Sequence, residues 1–213
     1  MRTNLLGNLV SKEYIRKMKE IYQATERQFL EFNEIVPFET NEWSVNSPKL
    51  YFILLTTCGQ IESLMKKICN DLNIKLEKEN FPNYYVGINQ KNVLSEQTVV
   101  LIKTDKIIRP FFENSSDHFW WISHNKAKHE LPEGILYGTI NNVIHALAAL
   151  FALYNVIEHI PVEDSIRILE SKHWATHKPI MVSETIRRPQ SYYNPGDSKL
   201  FISHTYYYGG PGL

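Results

Sequence analysis

Leu54, Cys58, Ile61, Met65, Ile68 and Leu72 follow one another at steps of four and three residues. That repeat lines side chains along one face of an α-helix, whereas a half-buried strand needs a step of two. The segment from Pro48 to Leu72 is therefore expected to be one long amphipathic helix. Ser47 is its natural cap, and Pro48 suits its first turn, where no backbone N–H is needed. So long an apolar stripe has to be covered, and three further segments carry the same period. Ser11 to Glu34 aligns Tyr14, Met18, Ile21, Thr25, Phe29 and Phe32, and Pro37 lies beyond its end. Asp117 to Glu130 has Ser115, Ser116 and Asp117 as candidate caps and Pro132 as a stop. Thr139 to Glu158 repeats Ile140, Val143, Leu147, Leu150 and Tyr154, while Ala146, Ala148, Ala149 and Ala152 leave room for close packing. Four stripes joined by capped ends predict a mainly α protein, an up-and-down bundle of helices.

The chain has 213 residues, of which 43% are hydrophobic and 22% charged. That balance supports a real core and argues against disorder over most of the length. Lys plus Arg equals Asp plus Glu at 23 each, which disfavours coating nucleic acid by bulk attraction and leaves a local basic site possible. Cys58 and Cys69 fall eleven residues apart on one expected helix, about 16 Å along its axis, too far for a disulfide. Both are expected to be reduced and buried, as suits a cytoplasmic protein. No His/Cys cluster has zinc spacing. Met1 to Val10 lacks the apolar core of a signal peptide. The most hydrophobic run, Ile140 to Ile157, contains Asn141, Asn142, His145 and Asn155, so it reads as a buried helix and no membrane association is expected.

Asn73 to Glu113 shows no long helical period. With Pro82, Gly87, Pro110 and a strand-like run from Thr98 to Lys103, it reads as an irregular insertion, about 73–113, carrying a short hairpin. From Pro161 onward the texture changes, because half of the ten prolines lie there. Val162 to Lys172 fits a short helix, and the rest reads as extended chain and turns. Tyr192, Tyr193, Tyr206, Tyr207 and Tyr208 need a surface to lie on. The organisation expected is a helical domain over 1–158 and a C-terminal extension over 159–213, packed on the bundle or on a partner subunit.

The segment His118-Phe-Trp-Trp-Ile-Ser-His124-Asn125-Lys126-Ala-Lys128-His129 contains no acid. On a helix, His118, Ile122, Asn125 and His129 share a face at steps of four, three and four. Asn125 and His129 then stand one turn apart, able to address one ligand group, with Lys126 and Lys128 beside them. Trp120 and Trp121 would anchor the helix in the core. A phosphodiester site needs a general base, a general acid and a donor or cation for charge on phosphorus. Histidine serves either proton transfer, and Lys and Asn hold phosphate oxygens. A histidine near a helix end also caps carbonyls, and an asparagine braces loops, so a purely structural role competes. Glu62 is a carboxylate at an apolar position of the second helix, expected to pair with Lys126, Lys128 or a histidine. Asn141 and His145, one turn apart, read as core hydrogen-bonding groups.

These residues resemble the HEPN superfamily of helical nucleotide-binding domains. The second helix, Leu54-Leu-Thr-Thr-Cys-Gly-Gln-Ile-Glu62-Ser-Leu-Met-Lys66, is similar to that family's second helix with its embedded acid. The Trp-Trp pair followed by His124-Asn125-x-x-Lys128-His129 is similar to a bacterial subgroup with Trp-Trp, Tyr-Asn and Lys-His. The Ala/Leu-rich fourth helix follows as in that subgroup, and the likeness spans roughly residues 11 to 158. HEPN nucleases carry Arg, often followed by Asn, and then His after four to six residues. Here His124 stands at the Arg place, Asn125 follows and His129 closes the motif.

The resemblance implies a HEPN-like bundle acting on RNA without metal or other cofactor. His129, Asn125 and His124 would be its catalytic group; Lys128, Lys126, Glu62 and His118 would be substrate-binding. It implies a homodimer in which two motifs meet. Two functions follow: a metal-independent endoribonuclease of a toxin–antitoxin or phage-defence system, or a catalytically silent module that binds RNA, a nucleotide or a cognate protein partner.

Overall fold

The structure, a computed structural model, describes residues 12–40, 42–92, 94–112, 118–130, 132–159 and 198–203. Five helices run in the order α1 (Lys12–Asn33), α2 (Pro48–Asp71), α3 (Phe81–Asn92), α4 (Phe119–His129) and α5 (Ile140–His159). The protein is mainly α, and its four expected helices are α1, α2, α4 and α5. Short strands β1 (Val99–Leu101), β2 (Lys106–Ile108) and β3 (Phe201–Ser203) form one antiparallel sheet in the order β2-β1-β3.

The amphipathic face of α2 performs as its spacing requires: Leu54, Cys58, Ile61, Met65 and Ile68 are fully buried. Ser47 caps it, its side chain accepting from the Leu50 N–H at 3.1 Å, and Pro48 occupies the first turn. Helix α2 packs against α1, α3, α4 and α5. The described side chains of α5 between Ala146 and Tyr154 are all fully buried, and its alanines lie inside with the larger residues. Among the described residues no helix is long and apolar enough to cross a membrane. Cys58 and Cys69 are free and buried, and burial raises both thiol pKa values, that of Cys69 to about 11.

The first amides of α5 need acceptors that the helix itself does not supply. The preceding loop supplies them: Ile140 donates to the Val45 carbonyl at 3.0 Å and Asn141 to the Trp43 carbonyl at 2.9 Å. The Thr139 hydroxyl accepts from the Asn142 N–H at 3.1 Å. A Cβ on Gly138 would lie 2.5 Å from Tyr51 Cα, so only glycine lets this junction close on the start of α2.

The segment 73–113 departs from its expectation of irregularity. It holds α3, a helix concealed in the sequence by Pro82 and Gly87, which read as breakers. Pro82 stands in the first turn, where proline fits, and the Asn80 side chain accepts from the Asn83 N–H at 3.2 Å. Gly87 marks a close approach, because a Cβ there would fall 2.7 Å from Ile74 Cγ2. The hairpin expected near Thr98 to Lys103 is present as β1 and β2. The expected caps at Ser11, Ser115, Ser116 and Asp117 lie outside the described residues. So do the short helix over 162–172 and the tyrosines of the tail.

Residues 198–203 bind the bundle through a buried carboxylate. Glu26 of α1 is only 3% exposed. Its Oε1 accepts from the Tyr22 hydroxyl at 3.0 Å, the Ser198 hydroxyl and the Leu200 N–H at 3.2 Å. Its Oε2 accepts from the Lys199 N–H at 3.1 Å. Four donors replace the water that a buried carboxylate gives up. Leu200 and Phe201 then enter the core, with Phe201 facing Phe151 at 5.9 Å between ring centroids.

Glu26→Ala should lower stability by at least about 2 kcal/mol, since it orphans several buried donors. Urea titration measures the loss, and amide exchange should speed up first at residues 198–203. Unchanged exchange there would mean that apolar burial alone holds this segment.

Candidate functional site

Helix α4 is a short platform with one side sunk and one side open. Trp120 is fully buried and its Nε1–H donates to the Pro110 carbonyl at 3.1 Å. Trp121 stacks on Phe81 of α3 at 4.1 Å between centroids. Near the other end Ala127 is buried, and its carbonyl accepts from the Tyr51 hydroxyl at 3.4 Å. These contacts fix the rotation of the helix and leave Asn125, Lys126, Lys128 and His129 facing solvent. All four come from the last turns of α4, where cations also complement the helix dipole.

Asn125, Lys128 and His129 make no side-chain hydrogen bond or ion pair among the described residues. Lys126 Nζ lies 5.5 Å from the ring centroid of Tyr137, whose hydroxyl donates to Glu130 Oε2 at 3.5 Å. The exposed turn is therefore an open group of donors and ammonium charges. Geometrically it can hold an anion, and it presents a single exposed imidazole, that of His129.

His124 and His118 sit elsewhere than that surface. His124 is 5% exposed and its ring lies 4.7 Å from that of Trp121. Burial pushes its pKa down to about 4, with Lys128 and His129 adding to the shift. The ring is thus neutral near pH 7 and cannot act as a charged clamp; its Nδ1 is buried with no hydrogen-bond partner among the described residues. His118 is 3% exposed, enclosed by the rings of Phe81, Tyr85, Phe111 and Trp120. The face shared by His118, Ile122, Asn125 and His129 in the sequence reading assumes a helix beginning before His118. Instead His118 is the N-cap in extended conformation, with φ −64° and ψ 126°, so its side chain leaves the helical repeat and enters the core.

Glu62 is half-buried on α2. Its charge acts on Cys58, Lys66 and Tyr84, and no hydrogen bond or ion pair joins it to α4 among the described residues. The recorded polar tie between α2 and α4 is at Tyr51, more than two turns earlier. The structure therefore gathers Asn125, Lys126, Lys128 and His129 at the surface, and neither His118 nor Glu62 joins them.

The sequence reading missed the ring neighbours of α4's open face. Phe119 lies 4.8 Å from His145, and His145 lies 6.1 Å from Trp43. Only the one-turn spacing of Asn141 and His145 hinted at this: His145 Nδ1 lies 2.9 Å from the Asn141 carbonyl, to which the ring N–H donates. Among the described residues no group of three or more His, Cys, Asp or Glu could hold a metal. Comparison with family models, curated proteins and solved structures finds no match to this chain.

The depressed pKa of His124 sets a pH dependence. The unfolded chain takes up a proton near pH 6.5 and the folded chain only near 4, so stability is complete above 6.5 and falls as pH drops toward 4. Relative to His124→Phe, which has no such proton, the parent should lose roughly 2–3 kcal/mol between pH 7 and pH 4. Denaturant titrations at both pH values check this, and parallel losses in parent and variant would show that His124 is not the titrating group.

Proposed function

We propose that this chain is an RNA-directed HEPN-like helical protein that contacts phosphates through the exposed end of α4, and that binding is its elementary activity. The observation that carries this reading is one open helix turn bearing Asn125, Lys126, Lys128 and His129, on a segment with no acid from His118 to His129. Ammonium groups serve as point charges for phosphate, and an amide donates to its oxygens. In a protein of zero net charge, such attraction must be local. Cleavage would require a second proton-transfer group and a charge clamp. Among the described residues His129 is the one exposed imidazole of this α4 turn, and His124 is buried and neutral.

One observation favours the second reading, a metal-independent endoribonuclease of toxin or phage-defence type. Asn125 and His129 lie one turn apart and both face solvent, so a homodimer would offer two imidazoles to one phosphodiester. A cytoplasmic setting and a cognate protein partner belong to this same proposal.

Fluorescence anisotropy with labelled single-stranded RNA separates the readings. The parent should bind with an affinity that falls as salt rises, and Lys126→Gln with Lys128→Gln should flatten the logarithmic salt slope by about 1.4. RNA left intact with and without chelator supports binding alone. Cleavage that His129→Ala reduces by about a hundredfold or more supports the nuclease. A parent that neither binds nor cleaves RNA defeats the proposal.

A further inference from the structure

We infer that the RNA surface continues from the lysine end of α4 along Ile122 and Phe119 to a ring cluster of His145, Trp43 and Lys106, where unpaired bases of single-stranded RNA stack. This inference rests on the phosphate-contact reading of α4 and extends it by a second set of residues.

The continuity is geometric. Phe119 and Ile122 are each 40% exposed, and they share the open side of α4 with Lys126 and His129 at helical steps of three and four. The Phe119 ring meets His145 of α5 at 4.8 Å, His145 meets Trp43 at 6.1 Å, and Lys106 Nζ sits 3.6 Å from the Trp43 ring centroid. The rise of α4 from Phe119 to His129 alone is about 15 Å, and the ring contacts carry the band past that end, enough for a few nucleotides. Cations stand at both ends, and rings and apolar side chains lie between. Phosphates attract the ends, and base faces suit the middle.

The cluster is set in place before any ligand arrives. Trp43 donates from Nε1 to the Phe38 carbonyl at 3.1 Å, and its own carbonyl receives the Asn141 N–H at 2.9 Å. His145 is half-buried and gives its Nδ1–H to the Asn141 carbonyl. Burial chiefly lowers the His145 pKa and Lys106 adds to this, against the pull of that carbonyl. The ring is therefore a neutral platform whose Nε2 remains an acceptor, suited to a ribose 2′-hydroxyl or a base amino group. A duplex hides its base faces in its own stack, so the occupant must be single-stranded.

The test measures binding of the full-length chain to a labelled oligouridine by anisotropy, with circular dichroism to check folding. Phe119→Leu keeps apolar bulk and removes the aromatic face; it should weaken binding about fivefold or more. Lys106→Gln should flatten the salt slope by about 0.7. Duplex RNA of equal length should compete poorly. If Phe119→Leu and Lys106→Gln both bind like the parent while the Lys126/Lys128 double variant loses affinity, this inference is wrong and the α4 reading stands. If the parent does not bind, both fall. If Phe119→Leu breaks a dimer seen by light scattering and leaves RNA affinity unchanged, the band belongs to a second copy of the chain and the inference is overturned.

Discussion

The packing of α2 against α5 governs the rest of this protein. Along most of its length α5 has no solvent-facing side, so it depends on neighbours around its whole circumference. Helix α2 covers one flank, α4 another, and Tyr22 of α1 reaches Phe151 and Tyr154. Small side chains on α5 let these neighbours approach, because alanine adds little bulk between helix axes. The first amides of α5 are then met by loop carbonyls, which ties residues 43–47 to the start of that helix.

The same packing determines what α4 can offer. Eleven residues are too few for a stable isolated helix in water. Its two tryptophans, stacked among α3 side chains and bonded to Pro110, supply the tertiary contacts that hold it. With those rings committed inward, the remaining positions sort by helical geometry. His124 follows the tryptophans inside, while Asn125, Lys126, Lys128 and His129 turn outward. A binding role for that turn suits an open group of side chains with no acid from His118 to His129 and with Glu130 held by Tyr137 at its edge; it asks for no strained backbone or deep cavity.

The aromatic band beside α4 has a different origin. Trp43, Lys106, Phe119 and His145 come from a loop, a strand and two helices, joined because the loop before α2 must cap α5. A capping requirement thus places an indole next to a histidine, and the exposed edge of a structural joint becomes available to a ligand.

Helical periodicity alone determined α1, α2, α4 and α5, the capping by Ser47 and Pro48, the burial of both cysteines and the inward turn of Trp120 and Trp121. These are legible because a stripe at steps of three and four has one low-energy solution in water. Sequence also marked Asn125, Lys126, Lys128 and His129, since charged groups late in a helix rarely find burial. It did not reveal α3, because Pro82 and Gly87 look like breaks until Ile74 is seen pressing on Gly87. Nor did it separate His118 and His124 from His129: α4 begins at Phe119, two residues after the expected Asp117, and His118 enters the core. The pairing of Glu26 with residues 198–203, and the meeting of Trp43 with His145, join positions far apart in the chain. Those contacts were decided by tertiary structure alone, because only packing brings distant groups close enough for a hydrogen bond or a ring contact to form.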